Sequence, residues 1–167
     1  MENNYHSFED LLIWQEGMKL CDEIYTVLRK CKDFSLRDQM QRSAVSIPSN
    51  IAEGFELSTN RAFIRHLYIS KGSGGELRTQ LYIAIKQGYI EQEKGKELVD
   101  LTTSTYKLVW EQVLLLAISA RQQYFHRDTN EGFHQRVKMV HVLNKKYRGL
   151  NESEKNSSRD IFLHLYK

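Results

Sequence analysis

Arg61, Arg65, Tyr68 and Lys86 lie within about 40° of one line when their segment is wound as a helix. Cationic side chains with an interleaved tyrosine suit contact with phosphates and stacking on bases. An ordinary solvated helix face offers the same residues, so this nucleic-acid-binding candidate has a plain alternative. A second candidate lies toward the C-terminus, where Arg121, Arg127, Arg136, Lys138, Lys145, Lys146 and Arg148 occur with Tyr124, Phe125 and Tyr147. A basic, aromatic segment suits wrapping RNA or DNA, or holding a protein partner. Its plain alternative is a helix packed on the rest of the molecule with a basic outer side. Metal chemistry has less support: His134 and His141 share a helical face, but no cysteine or carboxylate completes a ligand set. Lys71-Gly72-Ser73-Gly74-Gly75 lacks the preceding strand and the Gly-Lys-Ser/Thr order of a phosphate-cradling loop. No catalytic residue, cofactor or metal is assigned.

Charge is unevenly spread. Residues 1–118 carry 14 Lys and Arg against 16 Asp and Glu, whereas residues 119–167 carry 10 against 5, with four of the six histidines. A near-neutral base with a basic tail points to an anionic partner. The 167 residues suit one domain, or one with an extension. A single proline and many helix-favouring residues argue against an all-β fold. No apolar run approaches the roughly 20 residues of a membrane span, and from the polar start at Met1–Asn4 no leader is expected. Cys21 and Cys31 fall ten apart on one expected helix, about 15 Å, too far to bridge. Free thiols and a cytoplasmic location are expected.

Long helices must carry the candidate residues. The first is expected over Phe8–Lys32, capped by Ser7 with Asp10 three residues on, and with Leu11, Trp14, Met18, Cys21, Tyr25 and Leu28 on its apolar face, widened by Leu12, Ile24 and Val27. Ser35 with Asp38 repeats the capping pattern and opens the second, which ends near Gly54 or Leu57. Met40, Ala44, Ile47, Ile51, Ala52 and Phe55 keep one helical phase across Pro48, so a kinked helix is expected rather than two helices. Ser46, Ser49 and Asn50 are placed to satisfy the loosened backbone. The third helix runs over Arg61–Gln87 and buries Phe63, Leu67, Ser70, Leu77, Leu81, Ala84 and Ile85. Gly72, Gly74 and Gly75 cost it about 1 kcal/mol each against alanine, which reads as close approach of another helix, or else as a break. The fourth runs over Gln92–Ala120 after a turn at Gly88. Short joints give an all-α, antiparallel up-down four-helix bundle over residues 7–118, followed by a basic helical extension over 119–167.

The stretch Ala44-Val45-Ser46-Ile47-Pro48-Ser49-Asn50-Ile51-Ala52-Glu53-Gly54 resembles a family of four-helix-bundle proteins named for reading frames inside intervening sequences of bacterial 23S ribosomal RNA genes. Leu12-Ile13-Trp14-Gln15, Phe63-Ile64-Arg65, Gly72-Ser73, Glu76-Leu77, Thr79-Gln80-Leu81 and Gly88-Tyr89-Ile90 extend the resemblance over Phe8 to about Ile118. The same fold is similar to the accessory variability protein of diversity-generating retroelements. The resemblance implies a homopentameric ring, a basic surface binding RNA or an RNA–DNA hybrid and, in the retroelement branch, a reverse transcriptase as partner. It implies no enzymatic activity and no cofactor. Gly74-Gly75 departs from the larger residues usual after Gly-Ser, and residues 119–167 lie outside the match.

Arg61…His66, Arg136…His141 and Arg159…His164 share an Arg-x4-His spacing that resembles the motif of the metal-independent HEPN ribonucleases, in which the pair acts on the ribose 2′-OH and the scissile phosphate. Helix residues five apart point about 140° away from each other, which disfavours a common site. The expectation is therefore a non-enzymatic, oligomeric nucleic-acid-binding scaffold. The alternatives are a protein-interaction adaptor docking through residues 119–167 and a HEPN-like ribonuclease.

Overall fold

The structure, a computed structural model, describes residues 7–122, with side chains through Leu116 except that of Leu115. The element order is a 3-10 turn Phe8–Asp10, α1 Leu12–Val27, a 3-10 turn Leu28–Lys30, α2 Phe34–Glu56, α3 Asn60–Lys86 and α4 Gln92–Gln122. All described regular structure is helical. The basic extension beyond Gln122 lies outside the described residues.

The helix starts differ from their expected caps. Ser7 makes no capping bond, and Leu11 is extended, so α1 begins only at Leu12. Burial overrides the local pattern there: Leu11 is driven into the core, and Phe8 packs edge-on against Trp14 at 5.4 Å. α1 stops at Val27 and tightens into the 3-10 turn instead of reaching Lys32. α2 is capped by Asp33, whose carboxylate accepts from the Leu36 N–H at 3.0 Å, which leaves Ser35 inside the first turn. Thr59 caps α3 by accepting from the Ala62 N–H at 3.2 Å. At its far end Gly88 takes φ +72, the left-handed conformation that lets the Tyr89 N–H return to the Ala84 carbonyl at 2.9 Å.

The core is the space the four helices enclose. Ile13, Leu20, Ile24, Met40, Ala44, Ile47, Ile51, Phe55, Phe63, Leu67, Leu77, Leu81, Leu98, Val109 and Val113 are buried in it, each large aliphatic or aromatic side chain contributing about 1.5–3 kcal/mol. Of the expected face of the first helix Leu11, Cys21, Ile24 and Leu28 are buried, but Ile13, Gly17 and Leu20 face inward as well, while Tyr25 is 44% exposed. α1 is apolar on more than one side, and packing against α2 and α4 decides which side is buried. A Cβ at Gly17 would lie 3.4 Å from Ile47 Cγ2 and 3.5 Å from Pro48 Cβ, so α1 packs on α2 at the proline with room for no more than a methyl group. Cys21 and Cys31 are buried free thiols, and desolvation, helped by the charge of Asp22, pushes the Cys21 thiol up from its ordinary value. At the rim, Lys94 Nζ of α4 meets Glu23 of α1 at 2.9 Å and Glu97 at 3.2 Å. These bonds raise its pKa above the ordinary lysine value.

Candidate nucleic-acid interface

α3 positions the candidate residues because its two flanks are held by different chemistry. The flank toward α2 is a polar seam. Pro48 sits inside an unbroken α2, as the continuous apolar phase predicts. Asn50 Nδ2 donates to the Ser46 carbonyl at 2.8 Å and to Ser46 Oγ at 3.0 Å, so of the three polar residues expected to serve the loosened backbone Asn50 reaches a carbonyl, that of Ser46 rather than that of Ala44, while the Ser46 hydroxyl bonds side chains and Ser49 is exposed. Ser73 Oγ of α3 donates to Ser46 Oγ at 2.8 Å, and Asn50 Oδ1 faces His66 Nδ1 at 3.2 Å. Glu53 stands 3.7 Å from the same imidazole nitrogen. An alanine Cβ at position 54 would lie 2.6 Å from His66 Cβ and 3.0 Å from the Phe63 ring, so Gly54 is where α3 lies closest on α2.

The glycines of α3 behave otherwise. α3 passes through residues 72–75 without a break, and a Cβ added at Gly72, Gly74 or Gly75 meets nothing within 4 Å. The expected close helix packing is therefore not at these positions. It occurs at Gly17, Gly54 and Gly95, the last against the Ile85 side chain.

The predicted stripe is exposed but not gathered. Arg61, Arg65 and Lys86 are exposed, and Tyr68 is 49% exposed. Arg61, Arg65 and Tyr68 occupy the first turns of α3. Lys86 is its last residue, about 37 Å along the axis from Arg61. Among the described residues no carboxylate pairs with Arg61, Arg65 or Lys86. Of the C-terminal candidates, Arg121 falls in α4 with its side chain undescribed. Arg127, Arg136, Lys138, Lys145, Lys146 and Arg148 lie outside the described residues, as do Arg136…His141 and Arg159…His164. His66 is turned into the α2 seam, with 13% of its side chain exposed, while Arg61 faces solvent. No group of three or more His, Cys, Asp or Glu among the described residues could hold a metal, and none of the described helices is long and apolar enough to cross a membrane.

Tyr68 leads to residues that stripe reasoning missed. Its ring meets Trp110 of α4 edge-on at 6.1 Å. Lys71 Nζ stands 3.9 Å from the Trp110 ring centroid, 5.2 Å from that of Tyr106 and 5.8 Å from that of Tyr68. Arg78 Cζ lies 5.8 Å over Tyr106. These separations fall within cation–π range. The signal was present as Tyr68, Lys71, Gly75, Arg78 and Tyr82, which recur at three- and four-residue steps along the flank facing α4.

Three comparisons bear on identity. The family model described as 23S rRNA-intervening sequence protein matches residues 9–111, which hold every α2, α3 and α4 side chain named above for the seam and the cation–aromatic cluster. A solved structure from Bacteroides thetaiotaomicron, described as a protein with unknown function from the S23 ribosomal protein family, is similar in fold, with TM-score 0.58 and 23% sequence identity over 61% of this chain and 98% of that one. No curated protein matches. The family match spans well over half of the sequence, and the chain belongs to the 23S rRNA-intervening sequence protein family.

Proposed function

We propose that this chain is a non-enzymatic, cytoplasmic scaffold that binds RNA or an RNA–DNA hybrid, as an accessory to a reverse transcriptase or another RNA-handling partner. The observation that carries the reading is the exposed set Arg61, Arg65 and Lys86, with no carboxylate partner among the described residues. Unpaired surface cations spread along a helix suit backbone phosphates and read little sequence. Antiparallel up-down order is supported by pairings that rise along one helix as they fall along the next: Ser46 to Ser73 and Asn50 to His66, then Lys71 to Trp110 and Arg78 to Tyr106. Assembly into a homopentameric ring is part of the proposal. Val45, Ile69 and Ile83 are large apolar side chains exposed on α2 and α3 and so available for contact with another copy. A ring repeats modest phosphate contacts into avidity.

The test is binding of a labelled structured RNA across a salt series, for the full chain and an Arg61→Ala/Arg65→Ala/Lys86→Ala variant. The wild type is expected to lose affinity steeply with salt. The variant is expected to show a log–log slope shallower by roughly 0.7–0.9 for each phosphate it no longer neutralises. Binding insensitive to salt, or a variant with unchanged slope, overturns the assignment. Light scattering tests the assembly: a monomeric mass removes the ring.

A further inference from the structure

The outer furrow between α3 and α4 alternates charge, ring and open backbone. Tyr68, Lys71 and Arg78 of α3 meet Tyr106 and Trp110 of α4 across it, and Gly75 and Tyr82 share their helical phase. Tyr68 is 49% exposed and Tyr82, which shares its helical phase, 58%. Between the two cations the helix carries Gly75, and an added Cβ there meets nothing within 4 Å. A ligand can therefore approach the α3 backbone closely at Gly75.

We infer that this furrow is a binding site for single-stranded nucleic acid, with Lys71, held over the Trp110 and Tyr106 rings, and Arg78 holding phosphates, and with bases stacking on the exposed Tyr68 and Tyr82 rings on either side of Gly75. The inference rests on the nucleic-acid reading above and adds to it the strandedness and a second set of residues. The geometry supports it in three ways. First, Lys71 and Arg78 have no carboxylate partner among the described residues, so a ligand anion would not have to displace one. Second, ring contacts at 3.9, 5.2 and 5.8 Å restrict the Lys71 ammonium, which lowers the ordering cost of a flexible lysine on binding. Third, the two cations stand seven positions apart on one flank of α3, about 10 Å along the axis, so one strand can reach both. Duplex bases are already stacked on one another, so aromatic faces favour unpaired bases, whatever their identity. An apolar partner helix is the poorer occupant, because it would bury two cations without a counter-charge.

The test uses Trp110 as its own reporter. The full chain with Trp14→Phe retains only that tryptophan. It is titrated with a 12-nucleotide single strand, with the matching duplex and with poly-glutamate. Expected are quenching of Trp110 by the single strand, binding at least 10-fold weaker for the duplex, and no displacement by poly-glutamate. Gly75→Leu fills that approach and is expected to weaken single-strand binding roughly 10-fold while keeping the helical circular dichroism signal. Lys71→Met/Arg78→Met carries the same test should Gly75→Leu fail to fold, with a single-strand salt slope lower by about 1.4. If neither nucleic acid binds, the general reading falls and takes this one with it. If duplex and single strand bind equally and the furrow variants change nothing while Arg61→Ala/Arg65→Ala/Lys86→Ala weakens both, only the furrow is overturned. Equal competition by poly-glutamate overturns it in favour of an acidic protein partner.

Discussion

Replacing Gly54 or Gly72 with alanine makes the same chemical change within helices, yet the structure requires opposite outcomes. In a helix interior the change stabilises by roughly 1 kcal/mol through backbone entropy. At Gly72 that gain stands alone, because an added Cβ meets nothing within 4 Å. Gly72→Ala is therefore expected to stabilise the bundle by about 1 kcal/mol. At Gly54 the new Cβ would lie 2.6 Å from His66 Cβ, against an ordinary contact of 3.4–4 Å. Both atoms are attached directly to backbone, so no rotamer change separates them, and α2 and α3 must part by nearly 1 Å. Overpacking of this kind costs about 1–3 kcal/mol. The parting also stretches the 3.2 Å contact between Asn50 and His66, at roughly 1 kcal/mol. Set against the helix gain, Gly54→Ala is expected to destabilise by about 2 kcal/mol, some 3 kcal/mol below Gly72→Ala. Urea unfolding followed by far-ultraviolet circular dichroism measures both at one protein concentration. A Gly54→Ala variant as stable as the wild type refutes the account of α2–α3 packing. A destabilised Gly72→Ala refutes the account of an open face there and means that atoms of another molecule cover it.

Two further outcomes follow from titratable groups. Lys94→Met removes the bonds to Glu23 and Glu97, but about two-fifths of each of the Lys94 and Glu23 side chains is exposed, so solvent screening limits the loss to about 1 kcal/mol or less. Because the Lys94 pKa is raised on folding, its contribution is fully present below the ordinary lysine value and disappears as pH rises through the higher folded value. Wild type and variant should therefore converge in stability in strong alkali and in high salt, and a gap that persists in both would exclude the ion pairs as its origin. Cys21 and Cys31 are buried, and the Cys21 thiol is pushed up, so a thiol reagent at neutral pH should modify the native chain far more slowly than the urea-unfolded chain. Equal rates would place the sulfurs at the surface.

Much of the fold was legible because the apolar positions of α2, α3 and α4 keep one helical phase over many turns. Phe63, Leu67, Leu77, Leu81 and Ala84 are buried as their spacing predicts. The phase of α1 was only partly legible, because Trp14, Met18 and Tyr25 make a second apolar line beside Ile13, Leu20 and Ile24, and packing on α2 and α4 selects between them. The glycines misled for a related reason. A glycine signals that a side chain is absent, not which neighbour, if any, uses the space. Gly54 and Gly72 look alike in sequence and differ in what lies opposite. Exposure of Arg61, Arg65 and Lys86 was legible, whereas the pairing of Tyr68 with Trp110 depends on how α3 docks on α4.

That docking gives Ser46-Ile47-Pro48-Ser49-Asn50-Ile51-Ala52-Glu53-Gly54 a physical role without chemistry of its own. Pro48 faces Gly17 and sets how near α1 comes. Ser46 and Asn50 reach Ser73 and His66, and Gly54 receives His66 and Phe63. Apolar contacts alone tolerate a helix sliding or rotating by a fraction of a turn. Polar groups in a half-buried seam penalise it, because each slip leaves donors and acceptors unmatched. The seam thus fixes α3 both along its axis and in rotation. Rotation matters for the opposite flank: one residue of slip turns α3 by 100° and carries Lys71 away from Trp110, where it stands 3.9 Å from the ring. The proline stretch and the cation–aromatic furrow are therefore two sides of one constraint. A mutation in the seam that leaves the bundle folded, such as Asn50→Ala, should alter the environment of Trp110 across the width of α3. An unchanged Trp110 emission spectrum in that variant, carried on Trp14→Phe, would uncouple the two flanks.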